Sequence, residues 1–290
     1  MSDHLIRVLT LDGAIRVSVA ATTALVEEVR RRQQTDLTAT VAVGRLATAA
    51  ALMGSLLKGR QRIGLTVEGN GPLQRLHAEA DAHGHVRATL KVPIAGLPPR
   101  DGRFDVAGAV GRAGFLHVVK DLGMKEPYRG MVQLVSSEIA EDLAYYFTTS
   151  EQTPSSVALG VELGQLGDVA AAGGFLVQLM PDADDALAER LVERLGNWPP
   201  TTTLLRQGLS PEAIIARLLQ GFPYQTLETT PVSFACHCSQ EQTLGLLRTL
   251  GVDELDLLIA ENGEARVTCE YCKETYTVDR ATLQELKASL

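Results

Sequence analysis

Four cysteines stand near the C-terminus, as Cys236-His237-Cys238 and Cys269-Glu270-Tyr271-Cys272, and the 235 residues before them contain none. Two close-spaced pairs thirty residues apart suit a tetrahedral zinc ion, because each pair supplies two thiolates from one turn and the intervening chain brings the pairs together. One zinc per chain on four thiolates is therefore expected. His237 lies between two ligands but reads as a neighbour, since the four sulfurs already complete the set. Sulfurs that bind metal are also the atoms oxidants attack. A disulfide across the C-x-C pair closes a small ring that is usually strained, and strained disulfides are the readily reduced ones, so chemistry here should be reversible.

The competing reading of Cys269 and Cys272 is a thioredoxin-type redox pair, which needs a helix N-terminus beneath it to activate the first thiol. Lys273-Glu274-Thr275-Tyr276-Thr277-Val278 alternates like a strand instead, which favours a knuckle turn between strands. Other motifs carry less. His77, His83 and His85 read as residues in or beside a solvated turn, and Gly108, Gly111 and Gly114 lack the spacing of a dinucleotide loop. Ser150-Glu151-Gln152-Thr153-Pro154 reads as a helix exit. Neither a Gly-x-Ser-x-Gly elbow, a Walker loop nor a His-Glu-x-x-His occurs, so no enzymatic centre is expected.

At 290 residues, 45% apolar and 21% charged, the chain can bury a real core and add smaller units. Its formal charge of −8 opposes binding to nucleic acid. The N-terminal residues lack a basic region followed by an apolar stretch and a cleavage site, so a cytoplasmic protein is expected. The most apolar window, 38–57, is broken by Gly44, Arg45 and Gly54 and reads as a buried helix, not a membrane span. In a reducing compartment, paired cysteines bind metal or do redox chemistry more often than they form structural disulfides.

Several elements must position the cysteines. A hairpin spans 5–19 around Asp12-Gly13, followed by helices over 22–33 and 37–57. Strands fill 62–92 with turns at Asn70-Gly71 and His83-Gly84-His85. Gly96-Leu97-Pro98-Pro99 is a loop. Further strands at 115–120 and 131–135 precede a helix over 137–147, and strands follow at 155–161 and 174–179. Strands and helices in mixed order without a βαβ repeat give an α+β domain, rich in antiparallel sheet, over 1–180. A helical linker over 181–231 follows. Asp182 is placed to cap a helix to Leu195, with Leu187, Leu191 and Leu195 on one stripe. Ser210-Pro211 opens a helix carrying Ile214, Ile215, Leu218 and Leu219. Too small for a core of its own, this stretch must lean its apolar stripes on something else. The cysteine module, 232–290, reads as a helix capped by Ser239, a second helix over 252–259, a hairpin over 264–277 bent at the C-x-x-C, and a last helix capped by Asp279. So small a module depends on its metal for stability, and oxidation should unfold it.

These residues resemble one family over essentially the whole chain, the redox-regulated heat-shock chaperones known as the 33 kDa chaperonins. The resemblance rests on Phe234-Ala235-Cys236-His237-Cys238-Ser239 and Val267-Thr268-Cys269-Glu270-Tyr271-Cys272. It extends to Lys120-Asp121-Leu122-Gly123, Glu126-Pro127-Tyr128, Asp142-Leu143-Ala144-Tyr145-Tyr146-Phe147, Ser150-Glu151-Gln152 and Ala172-Gly173-Gly174-Phe175. It implies an ATP-independent holdase, inactive when reduced and zinc-bound. Oxidation would pair Cys236 with Cys238 and Cys269 with Cys272, release zinc, and destabilise the linker so that surface for unfolding client proteins is exposed. The active form would be a homodimer. The stripes Leu187, Leu191, Leu195, Ile214, Ile215, Leu218 and Leu219 are candidates for that surface, against the plainer reading that they are core. A zinc-ribbon adaptor and a thiol oxidoreductase are the alternatives from other classes.

Overall fold

The structure is a computed structural model describing residues 2–100, 102–181 and 183–290. Two compact units divide the chain, Met1–Ala235 and Cys236–Leu290. In chain order the first holds β1 (His4–Thr10), β2 (Ile15–Ala21), α1 (Thr23–Gln33), α2 (Leu37–Gly54), β3 (Arg62–Gly69), β4 (Arg75–Asp81), β5 (His85–Leu90), α3 (Val106–Val110), β6 (Gly114–Asp121) and β7 (Tyr128–Gln133). It continues with α4 (Ala140–Thr149), β8 (Ser155–Leu163), β9 (Val169–Leu179), α5 (Asp185–Gly196), α6 (Thr201–Arg206), α7 (Pro211–Leu218), β10 (Tyr224–Pro231) and β11 (Ser233–Phe234). The second unit holds α8 (Gln240–Arg248), α9 (Val252–Glu261), β12 (Glu264–Thr268), β13 (Thr275–Asp279) and α10 (Arg280–Ala288).

Two sheets organise the first unit, in the orders β10-β1-β2-β9-β8 and β11-β5-β4-β3-β6-β7. Every pairing is antiparallel except β11 on β5, which makes this an α+β fold with antiparallel-rich sheets. Helix α2 packs against strands of both sheets and buries every residue but Leu37 and Arg45. That position explains its composition. Alanines and small residues let two sheets approach one helix, so its length and apolarity serve the core. Asp36 starts the helix, its carboxylate accepting from Ala39 N at 2.8 Å.

Alternation along the first sheet decides what each of its faces covers. Leu5, Ala20 and Leu176 point into the core shared with α1 and α2. Their neighbours Ile6, Val8, Val17, Val19, Phe175 and Val177 point the other way, onto α5, α6 and α7. A sheet buried on both faces must be apolar on both, which is why β9 is an unbroken run of apolar and glycine residues from Val169 to Val177.

Three local readings change in the structure. Helix α4 begins at Ala140 because the buried Asp142 carboxylate accepts the backbone N–H groups of Val135, Ser136, Ser137 and Ile139 at 2.7, 2.9, 3.2 and 2.9 Å. Those bonds hold the preceding residues in a turn, with Ser137 and Ile139 at φ of +64° and +74°. The expected cap Asp182 lies outside the described residues. Asp184 caps α5, its carboxylate accepting from Leu187 N at 2.6 Å. His77 sits inside β4, not at a turn, bonded to Thr66 Oγ1 at 2.7 Å and Glu79 Oε1 at 3.2 Å. The elements without a strong local signal in the sequence are α3, α6, β10 and β11, all short or exposed.

Candidate metal centre and the apolar helices

Each cysteine pair is held by an element with a local sequence cause. Cys236 and Cys238 lie on the segment leading into α8, and Ser239 caps that helix by accepting from Gln242 N at 3.2 Å. Cys269 and Cys272 occupy the turn between β12 and β13, whose register ends on Thr268 opposite Thr275. Within the turn Cys269 N donates to Glu274 O at 2.9 Å and Lys273 N donates to Cys269 O at 3.0 Å. Lys273 takes the left-handed conformation, φ +62°, that such a knuckle requires. A strand follows Cys272, not a helix, so the pair lacks the helix N-terminus that a thioredoxin-type thiol uses.

The four sulfurs come together, all within 4.8 Å of one another, and His237 is outside that group. Cys238 Sγ is 3.3 Å from Cys272 Sγ, and Cys236 Sγ is 3.6 Å from Cys269 Sγ. Thiolates about 2.3 Å from one tetrahedral zinc stand roughly 3.8 Å apart, so these separations fit that ion. Burial pushes the Cys272 thiol up to about 12 and raises Cys238 as well. Cys238 and Cys272 therefore favour the protonated form, and a cation bound there would reverse that balance, since a coordinating thiol is deprotonated outright. The Tyr276 hydroxyl donates toward Cys238, 3.2 Å from its Sγ and 3.0 Å from its carbonyl oxygen, and is itself raised to about 12, chiefly by that bond to the sulfur. Sequence spacing does not reveal this contact, which depends on the register of β13.

The module's own core is small: Leu247, Leu255, Ala265, Val278, Leu283 and Leu286 are its buried cluster. A unit this size with so few buried side chains has little apolar burial of its own to offset the entropy of folding.

The apolar stripes of α5 and α7 are covered. Leu191, Ile214, Ile215, Leu218 and Leu219 are buried against the first sheet, and Leu187 and Leu195 pack on the same cluster half-buried. Trp198, the chain's single tryptophan, meets Phe175 edge-on with ring centroids 6.3 Å apart. Between these helices and Cys236 the chain runs through β10, an edge strand with mostly exposed side chains, and the two-residue β11.

The motifs that carry the family resemblance in the first unit are structural. Lys120 pairs with Glu151 and lies 5.8 Å from the Tyr128 ring centroid. Asp142 holds its turn, while Tyr146 and Phe147 are core.

An α+β body followed by a small four-cysteine module defines the class of protein. The sequence model of the Hsp33 protein family matches residues 3–279. The 33 kDa chaperonin of Syntrophotalea carbinolica is 57% identical, covering 99% of this chain and 100% of that relative. That of Geobacter sulfurreducens is 50% identical over 100% of this chain and 96% of its own. The crystal structure of the 33 kDa chaperonin from Thermotoga maritima matches with a TM-score of 0.93 at 35% identity, covering 100% of this chain and 99% of that one. The chain belongs to the Hsp33 family.

Proposed function

We propose that the protein is a cytoplasmic, ATP-independent holdase chaperone, not an enzyme, that is inactive when reduced and zinc-bound and is switched on by oxidation. Cys236, Cys238, Cys269 and Cys272 would hold one zinc ion, which supplies the cross-link that keeps the small module folded. Peroxide would pair Cys236 with Cys238 and Cys269 with Cys272. Each pair of thiolates gives two electrons to one peroxide molecule, whose two oxygens leave as hydroxide and take up two protons from solvent to become two waters. With the thiolates gone the module loses its cross-link and unfolds.

What that unfolding frees is the segment before it. β11 is held by two residues paired with β5, and β10 is an exposed edge, so both are low-stability elements through which disorder can pass backward along the chain to α7. Losing α5 to α7 would uncover Leu187, Leu191, Leu195, Ile214, Ile215, Leu218 and Leu219 together with the sheet face beneath them. An apolar surface of that extent holds unfolding client proteins, and a second copy of the chain would share it in a homodimer. The observation that carries this reading is the grouping of four thiols in a unit with only a small core of its own.

The test treats the reduced, zinc-loaded protein with peroxide under mild heating while zinc release, far-UV circular dichroism and aggregation of a thermally unfolding client are followed together. Zinc release, loss of helix signal and suppression of aggregation should rise in step. Zinc that stays bound, or leaves without gain in suppression, would refute the reading.

A further inference from the structure

Tyr276 lies on β13 opposite Val267, in the hairpin that carries Cys269 and Cys272, yet its hydroxyl contacts a cysteine of the other pair. The oxygen is 3.2 Å from Cys238 Sγ and 3.0 Å from Cys238 O. One phenolic proton faces two acceptors. A thiolate outcompetes a neutral carbonyl for it, because hydrogen bonds to an ionised acceptor are about twice as strong.

We propose that Tyr276 is a positioning residue of the redox centre: its hydroxyl donates to the Cys238 sulfur, restrains that sulfur's attack on peroxide, and ties the first cysteine pair to the hairpin bearing the second. The inference rests on the reading of the four cysteines as a metal-holding redox centre. In the oxidation a Cys238 sulfur lone pair attacks one peroxide oxygen and the O–O bond breaks. Sulfenic acid forms and hydroxide leaves. A second thiolate then displaces hydroxide from that sulfenic acid to close the disulfide. A proton shared from Tyr276 withdraws charge from the lone pair that makes the first bond, so the hydroxyl slows that step at Cys238 and not at sulfurs it does not touch.

The test compares the full-length protein with Tyr276→Phe and with 3-fluorotyrosine placed at 276, which keeps the ring and hydroxyl and makes the latter a stronger donor. Thiol labelling and mass spectrometry read the peroxide rate at each cysteine, and cobalt substituted for zinc reports sulfur donation through its sulfur-to-metal charge-transfer band. Phenylalanine should raise the Cys238 rate about five- to tenfold, the effect expected when part of one charge-assisted bond is given up on reaching the transition state, and move the band to lower energy. Fluorotyrosine should slow Cys238 and move the band to higher energy. Changes in the same direction for both variants, equal acceleration at all four cysteines, or an unaltered Cys238 rate would overturn the proposal. A wild-type protein that takes up no cobalt would instead defeat the metal-centre reading on which it rests.

Discussion

Arg194 on α5 donates from Nη1 to the carbonyl oxygens of Leu218 and Gln220, at 2.7 and 2.9 Å, at the end of α7. Its guanidinium also lies 5.3 Å from the Phe222 ring centroid. One cation thus satisfies helix C-terminal carbonyls that have no partner within their own helix and ties together the two helices that bear the apolar stripes.

Arg194→Ala should destabilise the α5 to α7 layer by about 2 kcal/mol, the cost of losing a charge-assisted bond to partly buried carbonyls. Fluorescence of Trp198, the single tryptophan, reports this layer directly in urea titration. An unchanged midpoint would show that Arg194 does not hold the layer. Under the proposed function the same variant should also suppress aggregation at lower peroxide.

Gly84→Ala should weaken the seat of the strands that lead to the cysteines. Gly84 has φ +79°, and a Cβ there would lie 2.1 Å from the carbonyl oxygen of Pro231, the last residue of β10. Both the left-handed backbone and the close approach exclude a side chain, so a cost of roughly 2 kcal/mol is expected. Hydrogen exchange at Ser233 N, which donates to Gly84 O at 3.0 Å, should accelerate. Unchanged protection there would show that the turn tolerates the methyl group.

The Asp12-Gly13 hairpin, the alanine-rich helix, and the elements of the second unit fall where periodicity and caps in the sequence place them, Ser239 and Asp279 included. Those signals are local. The features that sequence alone leaves hidden depend on residues brought together by folding. The start of α4 is set by Asp142 reaching back over its own turn, β10 exists because β1 offers an edge, and Tyr276 meets Cys238 only once β13 is in register. The stripe of Leu187, Leu191 and Leu195 is visible as amphipathic, but the sheet face it covers is not.

Cys236→Ser should lower zinc affinity by orders of magnitude, since a hydroxyl does not replace a thiolate in a four-sulfur site. A competition titration with a chromophoric chelator measures it. The variant should also lose the dependence of its activity on oxidant. Unchanged affinity would take Cys236 out of the ligand set.

Stability in acid should depend on Glu27. Its carboxylate accepts from Arg30 at 2.6 and 2.8 Å and from Val169 N at 3.0 Å, which joins α1 to β9. The Arg30 bonds, opposed by some burial, hold it below its ordinary 4.5. A depressed folded-state value means stability that is present above pH 4.5 and lost as pH falls through the folded value. Glu27→Gln should therefore flatten the decline in urea midpoint below about pH 4.5, by an amount of about 0.5 kcal/mol because the group is partly exposed. An equally steep decline in the variant would assign the acid sensitivity elsewhere.

Under the proposed function four thiolates restrain the helices preceding them, and hydrogen exchange with mass spectrometry before and after peroxide treatment reads that restraint. Peptides from α5, α6, α7 and β10 should lose protection as the disulfides form, while α2, enclosed between the two sheets, keeps its own. Protection retained across α5 to α7 in protein that already suppresses aggregation would refute the restraint.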